Sequence, residues 1–257
     1  MAMVKCFEYA QVTDNPYARE IVKIRAKYSE GWTCSSISAQ AESLSAEFPG
    51  LRLDDAEKDA AKMVCPASAD GLGILLKIRA IGRIYGVKNP YDSGYSDVNR
   101  CMLAMIVRNC PDILLPYESY DGNFIHIYPD VKEKIICVET FDNKDYTILP
   151  INFGDFKTGY LYSPRRVRWD ALVRKDKLPC VLPQMCGLLK TNLGIMTNYY
   201  DNLFFNCPGD RINKDSDSRG MYCPCFGISS EDDSRLKLYA QNECHACDGT
   251  GSVIAYL

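Results

Sequence analysis

The run Cys244-His245-Ala246-Cys247-Asp248-Gly249-Thr250-Gly251 constrains this chain more tightly than any other stretch. Two thiolates two residues apart can reach one tetrahedral metal ion, and the glycines let the backbone fold closely under the sulfurs. Upstream, Cys223-Pro224-Cys225 brings two more soft ligands, with eighteen residues between Cys225 and Cys244. Cys223, Cys225, Cys244 and Cys247 together predict a closed, structural Zn2+ site. A CxC pair is tighter than the usual CxxC, so Cys207 or His245 is an alternative for one ligand. The competing reading is a set of reduced cysteines packed as small apolar side chains.

The eight residues from Cys244 to Gly251 resemble the CxxCxGxG zinc repeat of DnaJ-type chaperones. That family carries paired copies of the full unit. Here Cys223-Pro224-Cys225-Phe226-Gly227 departs from it, and no J-domain signature is present. The resemblance implies metal chemistry at these cysteines and not chaperone activity.

With 257 residues, 47% of them hydrophobic, the chain can bury a sizeable core without metal. A net charge of -3 removes any global cationic field toward nucleic acid, so such a contact needs a local patch. Thirteen cysteines, an odd number, and a start without a signal-peptide h-region favour reduced thiols in an intracellular compartment. No apolar run approaches the eighteen residues of a membrane span.

Periodicity divides the chain into a helical region (1–112), an antiparallel β region of the same domain (113–178) and a C-terminal region with the zinc module (179–257). Asn15-Pro16 starts a first helix carrying Ile21, Ile24 and Tyr28 on one face. Ile37, Ala41, Leu44 and Phe48 give a second, from about Ser35 to Phe48, and a third begins at Asp54. Leu72, Leu75, Ile78 and Ile81 predict a buried helix within 68–85, at the cost of three glycines. Another helix is expected over Asp97 to Asn109. The period then shifts to strands: 124–128, 135–141, 146–151 and 160–162, with 129–134 as a hairpin connection. A helix near Gln184 to Met196 and a polar, turn-rich tract from Cys207 to Gly220 follow.

A second constellation is Ser163-Pro164-Arg165-Arg166-Val167-Arg168-Trp169, with Arg174, Lys175 and Lys177 beyond. Guanidinium groups pair with phosphates and an indole stacks on unpaired bases. Arg165, Arg166, Arg168 and Trp169 are the candidate nucleic-acid or anion contacts, expected on an exposed loop or strand end because Pro164 interrupts regular pairing. The bland reading is a solvated or acid-paired segment. A helix-turn-helix, with Gln40 reading a base edge, suits the second helix poorly, since that helix carries Glu42 and Glu47 and no cation; packing is the better reading.

Catalysis finds little support. Of two histidines, His126 sits mid-strand and His245 lies inside the cysteine module. The expected fold is α+β: a helical N-terminal half packed on a small antiparallel sheet, closed by a C-terminal cysteine-rich zinc-binding module. The expected function is non-catalytic binding, with nucleic acid or a ribonucleoprotein as partner. A structural subunit of a larger assembly, such as a virion or organellar complex, is the alternative, and seventeen tyrosines suit protein interfaces. Homo-oligomerisation fits either, and an enzyme stands third.

Overall fold

The computed structural model describes residues 33–109, 125–154, 163–192, 204–212, 222–228, 236–244 and 250–257. The helix expected after Asn15 and the strand at 160–162 lie outside them. The described residues form a mixed α+β fold of seven helices and two mainly antiparallel sheets. In chain order the elements are α1 (Ile37–Glu47), α2 (Ala56–Ala60), β1 (Gly71–Leu76), α3 (Ile78–Tyr85), α4 (Tyr95–Asn109), β2 (Ile125–Ile127), α5 (Pro129–Thr140), β3 (Tyr146–Asn152), α6 (Pro164–Arg174), β4 (Lys177–Pro179), α7 (Leu182–Thr191), β5 (Phe204–Asn206), β6 (Asp210–Ile212), β7 (Tyr222–Ile228), β8 (Leu236–Asn242), β9 (Thr250–Ser252) and β10 (Ile254–Tyr256).

The four-stranded sheet has the order β1-β3-β10-β4, with every pairing antiparallel. In the other sheet β7 is the hub: β8 runs along one side, β5 and β6 pair with it, β2 adds to β6 and β9 adds to β5 in parallel. Between β9 and β10, Val253 donates its N–H to Asn206 O (3.1 Å) and accepts from Cys180 N (3.0 Å), so one stretch of chain stitches both sheets.

Helix α7 is buried on every side from Leu182 to Leu189, as a helix at the centre of a domain must be. It packs on α4, α1 and β1. Gly73 permits that approach: a Cβ there would lie 2.5 Å from Ile151 Cγ1 and 2.8 Å from Leu188 Cδ2.

Two expectations are corrected here. The single helix expected within 68–85 is strand β1 followed by helix α3. Its apolar run is buried in the sheet, where Gly73 is an asset instead of a helix-breaking cost. The strand expected at 135–141 belongs to helix α5, which starts with Pro129 in its first turn and buries Val131, Ile135 and Glu139 at four-residue spacing. Glu139 is 2% exposed and caps the start of α3, accepting from Ile78 N (2.9 Å) and Arg79 N (3.4 Å).

Gln40 points inward and is fully buried. Its amide donates to Ser35 O (2.7 Å) and Leu72 O (2.8 Å), and its Oε1 accepts from Ile74 N (2.9 Å). The side chain thus occupies the open edge of β1, which explains a glutamine on a helix whose role is packing.

Candidate anion-binding cleft

The arginine segment is a helix, not a loop or strand end. Pro164 occupies the first turn of α6, where its missing N–H costs nothing, and Ser163 precedes it in an extended conformation. The Arg165 N–H donates to Glu243 O at 3.1 Å, so the helix start is docked on the turn after β8.

Helical geometry then sorts the expected contacts. Arg168 faces inward and is 7% exposed. Its Nη2 meets Glu243 Oε2 at 3.0 Å, its Nη1 donates to Pro208 O at 3.2 Å, and its guanidinium carbon lies 3.5 Å from the Tyr128 ring centre. Tyr128 donates its hydroxyl to the other Glu243 oxygen. Burial, then that bond, pushes the Tyr128 phenol well above its ordinary range. Arg168 was expected among the ligand contacts, but it serves as a latch whose charge is matched inside the fold. Arg165 is exposed, with Nη1 3.9 Å from Cys244 Sγ.

Arg166 and Trp169 take the outer face. Together with Arg174 and Lys177 they line a cleft of about 340 Å3, floored in part by Asn152 and Ser252. Trp169 is 65% exposed. Asp170 accepts from Arg174 Nε at 3.1 Å and from Lys177 Nζ at 3.2 Å, holding both cations at the cleft wall. Arg174 and Lys177 thus share one carboxylate, and Arg166 adds a third cationic side chain to the lining. An open, aromatic-bearing cationic cleft suits a ligand with both rings and phosphates. Arg174 and Lys177 were legible in the cation count, whereas nothing in the local sequence marks Asn152 or Ser252 as cleft residues.

Cys223 and Cys225 lie buried on β7, opposite Gln241 and Tyr239, and strand alternation puts both on one face. Burial, then neighbouring Cys225 and Glu243, pushes the Cys223 thiol up. Cys244 is exposed just beyond β8. Cys247 and His245 lie outside the described residues. Among the described residues no group of three or more His, Cys, Asp or Glu side chains is arranged to hold a metal ion, so Cys223, Cys225 and Cys244 do not by themselves assemble one. Cys207 is fully buried, its thiol raised by burial, then by Cys180 and Asp210.

Asp210 escaped the sequence reading, which treated its surroundings as turn. It is fully buried, accepts from the Tyr95 hydroxyl (2.8 Å) and Leu182 N (2.6 Å), and burial raises its carboxyl to about 7. His126 stands exposed on β2 opposite Arg211, and burial, then Arg211, lowers its imidazole. No helix among the described residues is long and apolar enough to cross a membrane. No protein-family model, curated protein or solved structure matches this chain.

Proposed function

We propose that the chain is a non-catalytic binding protein whose α6 cleft engages single-stranded nucleic acid. The observation that carries this reading is the exposed indole of Trp169 set among Arg166, Arg174 and Lys177 on the wall of one cleft. Base–aromatic stacking contributes about 1–3 kcal/mol per base, and the cations meet the flanking phosphates. A volume of about 340 Å3 is at the small end of ligand sites, room for an unstacked ring and not for a duplex. Zinc held by Cys223, Cys225, Cys244 and Cys247 belongs to the same proposal, as a brace for the turn on which α6 docks.

Titrating the protein into end-labelled oligothymidylate, read by the anisotropy of the label over a salt series, tests the reading. Binding should weaken steeply with salt. Trp169→Ala and Arg174→Gln should each reduce affinity while leaving the unfolding midpoint in place. Equal affinity in native and variant proteins, or no binding at low salt, would refute it.

A second reading, a subunit of a larger assembly, is favoured by Val173, 58% exposed and one turn from Trp169. Under it, Trp169→Ala and Val173→Ser should lower the sedimenting mass of the native protein and leave oligonucleotide affinity unchanged.

A further inference from the structure

Strands β2 and β6 alternate cleanly. Ile125, Ile127, Asp210 and Ile212 are buried, and His126 and Arg211, paired across the strands, take the opposite face. Tyr128 continues that face in an extended conformation, and the Arg211 guanidinium lies 5.8 Å from its ring centre. The ring is held in place from its other contacts, by Arg168 and Glu243.

Arg211 differs from Arg168 in one respect. Its Nε is buried and has no hydrogen-bond partner. The fold thus leaves this guanidinium without a match at Nε, and the side chain is only half-buried, so an oxyanion can meet the part of it that reaches solvent. His126, exposed and directly across from it, supplies a second donor once an anion lies near enough to favour its protonated form. The face therefore combines two basic groups and an aromatic ring, on a rigid pair of strands.

Helix α6 joins this face to the cleft. Arg168, beside Tyr128, and Arg174, at the cleft, are separated by a rise of about 9 Å along the helix. Exposed Arg165 lies at the Tyr128 end.

We infer that His126 and Arg211, beside the Tyr128 ring, form a second phosphodiester contact, so that a strand seated in the α6 cleft continues past Arg165 onto the β2–β6 face. This rests on the single-strand reading of the cleft.

The test uses the full chain, oligothymidylates of four and twelve nucleotides, and a salt series at pH 6, where the imidazole can take a proton. Arg211→Gln and His126→Gln should each weaken the twelve-nucleotide complex about fivefold and flatten its logarithmic salt slope by about 0.7, the share of one single-strand phosphate. Neither should alter the four-nucleotide complex, whereas Trp169→Ala should weaken both. If both variants bind the longer strand as the native protein does while Trp169→Ala does not, the second contact is refuted and the cleft reading stands. If Trp169→Ala is also without effect, both readings fall. Binding to phosphatidylserine vesicles with no oligonucleotide binding overturns both in favour of a membrane surface. Because Arg211 braces Tyr128, its variant is checked by urea unfolding; His126→Gln alters an exposed side chain and decides the matter alone if Arg211→Gln fails to fold.

Discussion

Asp210→Asn should remove a pH dependence of stability that the native fold carries. Asp210 is fully buried, and its carboxyl group accepts from the Tyr95 hydroxyl and the Leu182 N–H, both neutral donors. Burial lifts its carboxyl from the ordinary 3.8 to about 7. The folded protein therefore keeps a proton that the unfolded chain has already released across this window. Stability from this group is fully present below about pH 4 and is lost as pH rises through about 7. Going from pH 5 to pH 8 crosses roughly two pH units of that window, at about 1.4 kcal/mol each, which gives roughly 2–3 kcal/mol. Asparagine preserves the acceptor for Leu182 and cannot ionise. Urea unfolding of native and Asp210→Asn proteins at pH 5 and pH 8 measures the effect as a difference of differences, in which every other titrating group cancels. The native protein should lose roughly 2–3 kcal/mol more than the variant over that interval. Parallel pH profiles for the two proteins would refute the reasoning.

Arg168→Met should destabilise by about 3–5 kcal/mol in urea unfolding, because it strands the buried Glu243 carboxylate. The double variant Arg168→Met/Glu243→Leu should recover most of that loss, and no recovery would count against the latch. Gly73→Ala should cost about 1–3 kcal/mol by driving a methyl into Ile151 and Leu188, whereas a Tm equal to the native value would mean α7 does not press on β1 as described. Elemental analysis of freshly purified protein should return one zinc per chain, lost in Cys247→Ser; zinc-free native protein whose Cys223, Cys225, Cys244 and Cys247 all react as free thiols excludes the metal site.

Much of the fold was legible wherever a helix has one buried stripe. Ile37, Ala41, Leu44 and Phe48 announced α1, and Val98, Met105 and Ile106 announced α4. The failures share two physical causes. A short run that is apolar on every side has no period to read, so Gly71–Leu76 passed for part of a helix. Pro129 was placed in a hairpin connection and Pro164 was taken to block regular pairing, yet both stand in the first turns of helices, the role given only to Pro16. Misplacing Pro164 put the arginines on a loop, where all three would face solvent. A helix instead divides them, turning Arg168 in and Arg166 out. Glu243, Asn152, Ser252 and Arg211 carry no local signal, because their roles arise from pairings between distant segments.

Strand β10 lies between β3 and β4, both made long before it in the chain. Until residues 254–256 arrive, each of those neighbours presents a bare row of N–H and C=O groups, the surface on which strands from other chains add. The same late segment, through Val253, closes the second sheet on the first. A chain cut before residue 254 is therefore adhesive in a way the intact fold is not, because β3 and β4 each keep an unpaired edge. Recombinant yield should consequently hinge on the integrity of these few residues more than on any helix, and inclusion bodies should be enriched in molecules that lack them.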